Sequence, residues 1–446
     1  MDEMVNMEDL SSYEKAFKSK KEHLVAMHAV VKNGIGDSAH DGEAIADTRH
    51  SFSVSIEAGE ITNQKKSGRC WMFAALNVMR LEIMKKLNLK NLELSQNYPL
   101  FFDKLEKANW FLESIIETLD EPLDGRLVSF LLESPMQDGG QWDMFVALVE
   151  KYGVVPQEAM PESQASSMTN ELDKYLTLKM REFACILRTA HAKNGKSVEE
   201  LRKMKEGMLS TIYRMLAIAL GNPPKTFTYE TRDKDDKFIR IENVTPVEFF
   251  DKYVGMKLDD YVSVINAPTA DKPYGKTYTV SFLGNVKGGK PVFYLNLPSS
   301  ELKKAAIAQL MDGNAVWFGS DVGQSSERTS GLMDLRVLDV QDLFDTNFPL
   351  DKAQRLDYGE SRMTHAMVLT GVNLDAEGKS DRWRVENSWG TDVGEKGFFV
   401  MTDAWFDQYC YQVVVEKKYL SETQRKMLDE KPIVLAPWDP MGSLAD

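Results

Sequence analysis

A segment without glycine or proline begins at Cys70 and runs through Met84. Its apolar side chains recur from Phe73 and Leu76 onward, which predicts an amphipathic helix with the cysteine in its first turn. The N-terminus of a helix stabilises negative charge through its N–H groups and its dipole, and the thiolate is the nucleophilic form of cysteine. An isolated thiol has a pKa of about 8.5 and is mostly protonated at neutral pH. A nucleophile at this position therefore needs a basic partner.

His365 is the histidine, among six, whose setting could hold an imidazole rigidly beside a distant cysteine. It opens the apolar, β-type run 364–372, which predicts a buried strand. Asn387 follows 22 residues later and begins the sequence Asn-Ser-Trp-Gly. An asparagine amide oxygen can accept a hydrogen bond from one imidazole nitrogen and so orient the other nitrogen toward sulfur. Trp389 could cover that hydrogen bond and exclude water, and it is also predicted to contact the substrate.

Each of these features alone has a structural explanation. A single cysteine is usually a small buried hydrophobic residue, and Asn-Ser-Trp-Gly alone more often forms a turn. The combination is stronger, because Gln64, Cys70 followed by tryptophan, His365 on a strand and Asn387 occur in this chain order. Together they predict covalent cysteine chemistry.

These residues resemble the papain superfamily of cysteine peptidases, whose order is Gln, Cys, His, Asn and whose signature at the nucleophile is Cys-Gly-[Ser/Ala]-Cys-[Trp/Tyr]. The matching residues here are Ser67-Gly-Arg-Cys-Trp71. Ser67 replaces a cysteine that is commonly disulfide-bonded in secreted members, and Arg69 replaces a small residue, which indicates an intracellular branch. The Gly-Arg-Cys-Trp-Met-Phe block, the large spacer and the tail 436–442 are similar to the bleomycin hydrolase and aminopeptidase C family over essentially the whole chain.

The resemblance implies a role for each catalytic residue. Cys70 is the nucleophile, His365 acts first as a base and then as an acid, and Asn387 orients His365. The side-chain amide of Gln64 and the backbone N–H of Cys70 donate to the oxyanion, where one such donor contributes roughly 3 kcal/mol. The implied reaction is acyl transfer from a peptide to the cysteine and then to water. No metal and no cofactor is implied.

The segment Asp138-Gly-Gly-Gln-Trp142 resembles the substrate ledge of that superfamily. Gly139 and Gly140 would let an extended peptide approach closely enough to hydrogen-bond to the backbone, which a side chain would obstruct. Alone, a Gly-Gly pair indicates only a turn. Asp138 stands roughly where a secreted relative has a disulfide cysteine.

The cysteine content implies no disulfide framework, because the 446 residues include only Cys70, Cys185 and Cys410, without disulfide-like spacing. The acidic N-terminus lacks the apolar run of a signal peptide, and no stretch approaches the roughly 18 apolar residues of a membrane helix. A cytoplasmic enzyme is therefore expected. The net charge of −14 disfavours nucleic-acid binding, which would need a strongly segregated positive surface.

The pattern of elements predicts an α+β fold of the papain-like, two-lobed type, with the active site in the cleft between a helical lobe and a β lobe. A large helical insertion is signalled by the capping box Ser197–Glu200, and the methionines that follow it are interpreted as core residues rather than as a binding groove. The predicted segments are an N-terminal arm (1–50), a helical lobe with the nucleophile (51–159), the helical insertion (160–268), a β lobe with the histidine and asparagine (269–420) and a C-terminal arm (421–446).

Residues 432–446 contain three prolines and no periodicity, which predicts an extended arm. A disordered tail is the alternative. In the resembled family the arm lies in the cleft, and its terminal carboxylate holds the α-amine of the substrate, which makes an aminopeptidase from an endopeptidase scaffold. Ala445 or Asp446 would supply that carboxylate, depending on whether the tail is trimmed.

The resemblance implies an intracellular thiol aminopeptidase that acts on peptides with a free N-terminus. It also implies a homohexameric ring with active sites that face an internal chamber. Cys-His-Asn chemistry does not choose the acceptor, so another amide or ester hydrolase, an acyltransferase or an endopeptidase on the same scaffold stays open. A binding or scaffold protein that keeps the fold without turnover is the alternative from another class.

Overall fold

The structure, a computed structural model, describes residues 4–445. Its helices are α1 (Met7–Ser19), α2 (Lys21–Asn33), α3 (Ile35–Ala39), α4 (Gly42–Ala46), α5 (Cys70–Lys86), α6 (Asn97–Glu117), α7 (Arg126–Glu133), α8 (Trp142–Tyr152), α9 (Gln164–Ser167), α10 (Asn170–Asn194), α11 (Val198–Leu220), α12 (Pro246–Phe249), α13 (Ser299–Met311), α14 (Val340–Phe344), α15 (Lys352–Asp357), α16 (Asp403–Tyr409) and α17 (Glu422–Met427). Its strands are β1 (Val54–Ser55), β2 (Phe227–Arg232), β3 (Phe238–Val244), β4 (Tyr261–Ile265), β5 (Lys276–Val280), β6 (Tyr294–Asn296), β7 (Val316–Ser320), β8 (Ser326–Glu327), β9 (Leu332–Met333), β10 (His365–Leu374), β11 (Ser380–Glu386), β12 (Phe398–Thr402), β13 (Cys410–Glu416) and β14 (Ile433–Leu435). None of the described helices is both long enough and apolar enough to cross a membrane.

The helix α5 begins at Cys70, as predicted from the segment without glycine or proline. The prediction of an amphipathic helix is wrong, because every residue from Cys70 to Arg80 is buried. A helix that is covered on all sides lies inside the molecule rather than on its surface. It packs against β10 and β7, so the first turn of the helix faces the start of the histidine strand.

The main sheet carries the histidine on a central strand. The strand order is β14-β5-β6-β4-β13-β7-β10-β11-β12-β9-β8, with β1 paired to β10. β10 is antiparallel to both β7 and β11, and its first eight residues are buried. An uninterrupted apolar run is expected where both faces of a strand are covered. The predicted strand at 364–372 is confirmed, and His365 is its first residue.

The insertion contains the long helices α10 and α11, which pack against each other and against α6. The predicted capping box is present, since the Ser197 side chain accepts from Glu200 N–H and the Glu200 carboxylate accepts from Ser197 N–H. The helix ends where Gly221 takes a φ of 88°, a conformation that glycine adopts without strain. Met208 is buried in the core, which agrees with the interpretation of the methionines as packing residues.

Residues 227–265 differ from the helical prediction for 160–268. β2 and β3 form a separate antiparallel hairpin, and β4 lies in the main sheet between β6 and β13. Buried and exposed residues alternate over the first four residues of β2, which is the period of a strand with one covered face. β2, β3 and β4 are short, and short strands give a weaker sequence signal than the long helices α10 and α11 that precede them.

The C-terminal arm joins the edge of the main sheet. β14 pairs in parallel with β5, and Ser281 donates from its hydroxyl to Leu435 O at 3.0 Å. A single helical turn follows at Pro440–Gly442, and the chain continues to Ala445, which is fully buried. The prediction of an extended arm is confirmed for this part of the chain, and the alternative of a disordered tail is wrong.

Candidate active site

The packing of α5 on β10 brings Cys70 next to the histidine strand. The Ala366 N–H, one residue after His365, donates to Cys70 Sγ at 3.4 Å across 296 positions of the sequence. Cys70 is 0% exposed and His365 is 2% exposed. The sulfur therefore lies at the N-terminus of a buried helix, where the helix dipole favours the thiolate.

Asn387 contacts the imidazole as the sequence predicted. His365 Nε2 lies 2.9 Å from Asn387 Oδ1, and the oxygen also accepts from Ser388 N–H at 2.8 Å. The Trp389 ring packs beside the imidazole, with 4.9 Å between ring centroids and an interplanar angle of 34°. The indole in turn meets the edge of Phe399. These contacts hold the imidazole in one orientation and shield its hydrogen bond from water.

The pKa of His365 is lowered to about 4. Burial is the main cause, because a buried site disfavours the imidazolium. The hydrogen bond with Asn387 opposes this effect, and the positive charge of Arg328 adds to it. The imidazole is therefore neutral near pH 7 and can accept a proton.

Gln64 is held from both lobes. Its N–H donates to Ser388 O at 2.8 Å, and its side-chain Oε1 accepts from the Ser388 hydroxyl at 2.7 Å. Its Nε2 donates to Ser67 O at 2.7 Å. A primary amide has two N–H donors. The bond to Ser67 O uses one hydrogen of the Gln64 amide, and the other hydrogen is left as a second donor. Ser388 was not singled out from the sequence, although it lies inside the Asn-Ser-Trp-Gly motif.

An ion pair of the buried Arg69 fixes the loop before Cys70. Arg69 is 0% exposed and donates to both carboxylate oxygens of Glu162, at 2.9 and 2.8 Å. Its Nε donates to the Ser67 hydroxyl at 2.9 Å, and Gly68 N–H donates to Asp138 Oδ2 at 2.8 Å. Side chains at Ser67, Arg69 and Asp138 therefore hold the loop before Cys70 through hydrogen bonds and an ion pair.

Two buried lysines of α6 support the predicted ledge from beneath. Lys104 Nζ donates to Met136 O at 2.7 Å and pairs with Asp138 Oδ1 at 2.7 Å. Lys107 Nζ lies 3.0, 3.2 and 2.7 Å from the carbonyl oxygens of residues 137, 138 and 139. The carbonyl oxygens of four successive residues, 136–139, therefore accept hydrogen bonds from lysine side chains. The sequence gave no signal for this role, because lysines three residues apart on a helix are usually solvated.

The arm occupies the ledge. Gly140 N–H donates to Ala445 O at 3.2 Å in an antiparallel bridge, and Gln141 Nε2 donates to Ser443 O at 2.6 Å. The predicted residues Gly140 and Ala445 are thus in contact. Asp446, the other predicted arm residue, lies outside the described residues. The backbone of the arm therefore makes the close contact with Gly140 that was predicted for an extended substrate peptide.

Glycine is required at the second ledge position. A Cβ on Gly140 would lie 2.4 Å from Cε2 of Trp71, whose indole Nε1 donates to Asp138 O at 2.9 Å. Real atoms do not approach so closely, so any side chain would displace either the indole or the ledge. Gly139, the first ledge position, takes part through its carbonyl, which accepts from Lys107.

The arm has further anchors before it reaches the ledge. Asp439 pairs with the buried Lys272 at 2.9 Å. The Trp438 ring lies 3.9 Å beneath the guanidinium carbon of Arg126 and meets the edge of Phe130. A cavity of about 490 Å³ lies between the arm and the helical lobe, lined among others by Lys107, Phe130, Gln137, Phe282, Arg362, Thr364, Trp438 and Leu444. Within residues 4–445 no cluster of His, Cys, Asp and Glu side chains is arranged to hold a metal ion.

Comparisons with known proteins agree on one family. A sequence model described as the peptidase C1-like family matches residues 4–442. The chain is 53% identical to aminopeptidase C of Streptococcus thermophilus over 94% of each chain. It is 47% identical to aminopeptidase C of Listeria monocytogenes over 99% of each chain. The crystal structure of PepW from Lactobacillus rhamnosis is 51% identical, covers all of both chains and superposes with a TM-score of 0.98.

Proposed function

We propose a mechanism from the premise that the chain belongs to the peptidase C1-like family, as a cysteine-type aminopeptidase similar to bleomycin hydrolase. In this proposal the chain removes N-terminal residues from peptides through a Cys-His-Asn acyl-enzyme mechanism. In this proposal Cys70 is the nucleophile, His365 the base and acid, and Asn387 the residue that orients the imidazole. The C-terminal arm restricts cleavage to free N-termini. The hydrogen bond from Gly140 N–H to Ala445 O is the observation that supports this restriction.

The first step transfers the Cys70 proton to His365 while the sulfur attacks the carbonyl carbon of the substrate. Burial lowers the pKa of His365 to about 4, so the imidazole begins neutral. Its Nε2 bond to Asn387 leaves Nδ1 to meet the thiol. The C=O double bond becomes a C–O single bond, and the oxygen carries the negative charge. The Gln64 amide and the Cys70 N–H donate to that oxygen, each contributing roughly 3 kcal/mol.

The second step breaks the C–N bond. The imidazolium of His365 gives its proton to the leaving nitrogen, the oxyanion collapses, and a thioester on Cys70 remains. Water then gives a proton to the neutral imidazole as it attacks the thioester. Collapse of this second intermediate releases the acid and returns the proton to sulfur. The Trp389 ring beside His365 keeps bulk water from its bond with Asn387.

The arm sets the length of substrate that fits before the scissile bond. Ala445 O already accepts from Gly140 N–H, which an extended peptide would otherwise use. A peptide can therefore place only a short N-terminal stretch between the arm and Cys70. The terminal carboxylate of the arm would pair with the substrate ammonium. A blocked N-terminus would leave that buried carboxylate without a partner, which is costly.

Hydrolysis of an aminoacyl-coumarin amide and of its N-acetylated twin tests the proposal. The full-length chain is expected to cleave the free-amine substrate and to spare the acetylated one. Deletion of residues 441–446 is expected to abolish this selectivity. Cys70→Ala is expected to remove all activity, and Cys185→Ala, at an exposed cysteine, is the matched control and is expected to keep it.

Each contrary result points to a named alternative. Equal cleavage of both substrates by the full-length chain would indicate an endopeptidase or a general amide hydrolase. Retained activity in Cys70→Ala would refute cysteine catalysis. No cleavage of either substrate would favour the binding or scaffold protein, and accumulation of a transferred acyl product would favour an acyltransferase.

We also propose that copies of the chain assemble, as a homohexamer, through the N-terminal helices. Neither α1 nor α2 contains a buried residue, yet both carry apolar side chains, which include Met7, Tyr13, Val25 and Val31 at 76, 60, 69 and 82% exposure. Such a surface is typical of an interface. Light scattering should give six chains per particle, and Val25→Glu with Val31→Glu should lower that number. Leu178→Glu, at an exposed position of α10, is the control.

A cytoplasmic location is proposed from the cysteines. Cys70, Cys185 and Cys410 all lie in the described part of the chain, and none forms a disulfide there. Reduced cysteines are typical of a reducing compartment. Fractionation of the producing cell tests this location, and recovery outside the cytoplasm would contradict it. The five predicted segments, with boundaries after residues 50, 159, 268 and 420, are proposed as the domain organisation, except that β4 (Tyr261–Ile265) belongs with the β lobe because it lies in the main sheet. Limited proteolysis tests these boundaries.

A further inference from the structure

Arg328 lies on a tight turn beside the active site. The Glu327 carboxylate accepts from the N–H groups of Thr329 and Ser330 at 2.7 and 2.6 Å, which fixes the turn. The guanidinium carbon of Arg328 lies 4.8 Å from the centroid of the Trp389 ring. The Arg328 side chain is exposed, and no carboxylate of residues 4–445 lies within ion-pair distance of it. It is therefore a solvent-facing cation held on the tryptophan of the catalytic site.

The position of Arg328 relative to the scissile bond follows from the chemistry. The arm and Gly140 occupy the side of the site that receives the N-terminal residue. His365 gives a proton to the leaving nitrogen, so the leaving portion of the substrate passes the imidazole. The ring packed against that imidazole is Trp389, at 4.9 Å, and Arg328 lies on Trp389. The guanidinium is therefore on the leaving-group side.

The distances limit which part of a peptide can reach the cation. Two contacts of 4.8 and 4.9 Å place the guanidinium carbon within about 10 Å of the imidazole centre, and an extended chain advances about 3.3–3.6 Å per residue. A carboxylate that ends one or two residues after the scissile bond comes within reach. The C-terminal carboxylate of a longer peptide lies beyond it.

We propose that Arg328 binds the C-terminal carboxylate of the leaving group and so favours dipeptides and tripeptides as substrates. This inference rests on the proposed aminopeptidase function. Arginine suits the role, because its planar guanidinium can stack on an indole while its N–H fork meets a carboxylate. The net charge of −14 disfavours an approaching anion, and a cation at the mouth of the site offsets that effect locally.

The test compares kcat/KM for alanylalanine with kcat/KM for alanylalaninamide, which lacks only the carboxylate charge. The wild-type chain is expected to prefer the free acid by about two- to five-fold, the size of an exposed ion pair, and the preference should shrink with added salt. Arg328→Gln should bring the ratio close to one, and Arg328→Lys should restore part of it. Arg214→Gln, at an exposed arginine of α11, should leave the ratio unchanged.

Two results would overturn the proposal. One is a wild-type ratio of one or less. The other is a ratio that stays the same in Arg328→Gln while both rates fall, which a merely structural role in supporting Trp389 predicts. An aminoacyl-coumarin amide, which has no carboxylate, reports separately on the proposed function. Its cleavage without cleavage of either dipeptide would refute the carboxylate site alone, whereas its failure in the wild-type chain would refute the aminopeptidase.

Discussion

Replacement of Arg80 by methionine is expected to lower the free energy of unfolding by about 3–5 kcal/mol. Arg80 lies on α5, and its Nη2 donates to Glu386 Oε1 at 2.6 Å, with the two side chains 1% and 0% exposed. Glu386 immediately precedes Asn387, so this pair joins helix α5, which begins at Cys70, to strand β11, which ends just before Asn387. Without the arginine, Glu386 would be a buried carboxylate without its ion-pair partner, and only the more distant charge of Arg384 would offset it.

The double variant Arg80→Met with Glu386→Leu separates the charge from the packing. Removal of both partners removes the buried ion pair, and the main remaining cost is the lost donor to Glu60 O, now at 2.8 Å, and to Leu92 O, now at 3.4 Å. An unsatisfied buried carbonyl costs about 1–3 kcal/mol. The double variant should therefore lose about 1–3 kcal/mol, whereas the two single losses together would reach about 6–10 kcal/mol.

Urea unfolding followed by tryptophan fluorescence, at one fixed protein concentration, measures these changes. Burial raises the pKa of Glu386 above its unfolded value. In Arg80→Met the Glu386 carboxyl should therefore keep its proton to a higher pH in the folded chain than in the unfolded chain. Because the folded state then binds more protons, the free energy of unfolding should be higher near pH 5 than near pH 8. A loss below about 1 kcal/mol in the single variant, or additive losses in the double variant, would refute the reasoning.

Three further changes test the site. Gly140→Ala places a Cβ 2.4 Å from the Trp71 ring and should cost about 1–3 kcal/mol in thermal unfolding while it weakens free-amine selectivity. Lys107→Met removes the donor to three ledge carbonyls and should raise KM more than it lowers kcat. It should cost about 1–3 kcal/mol for each carbonyl left unsatisfied, and more because the buried Asp103 loses its ion-pair partner at 2.8 Å. Arg328→Gln removes a cation that lowers the pKa of His365, so the imidazole is protonated at higher pH. The acid limb of kcat/KM for the coumarin amide should then move to higher pH.

Matched variants separate these effects from general damage. Gly207→Ala, where an added Cβ meets no atom within 4 Å on helix α11, should be neutral or stabilising by about 0.5–1 kcal/mol. Lys174→Met, at an exposed lysine of α10, should leave KM unchanged. An unchanged selectivity in Gly140→Ala, a kcat-only effect in Lys107→Met or an unmoved acid limb in Arg328→Gln would each contradict its prediction.

Part of the candidate site was predictable because its signals are local or follow the chain order. The start of α5 at Cys70 and the strand that begins at His365 depend on neighbours within a few residues. The contact between His365 and Asn387 was expected from a pattern of four residues and a resemblance. The lysines that support the ledge could not be predicted from local signals or from chain order. Lys104 and Lys107 have the spacing of solvated lysines, and only the fold buries them beneath the ledge.

The sequence by itself identified Gln64, Cys70, His365 and Asn387 as candidates for catalysis, and it predicted the two-lobed α+β class and an extended C-terminal arm. The elements and the arm follow from residue type, spacing and capping, which act over one or two turns of chain, whereas the candidate residues follow from their order in the chain and from the family resemblance. The tertiary structure decided what surrounds them. It paired Arg69 with Glu162 across 93 positions, placed β4 in the main sheet, and seated Ala445 on Gly140. Burial and ion pairing depend on which distant segments meet, and no local pattern specifies that meeting.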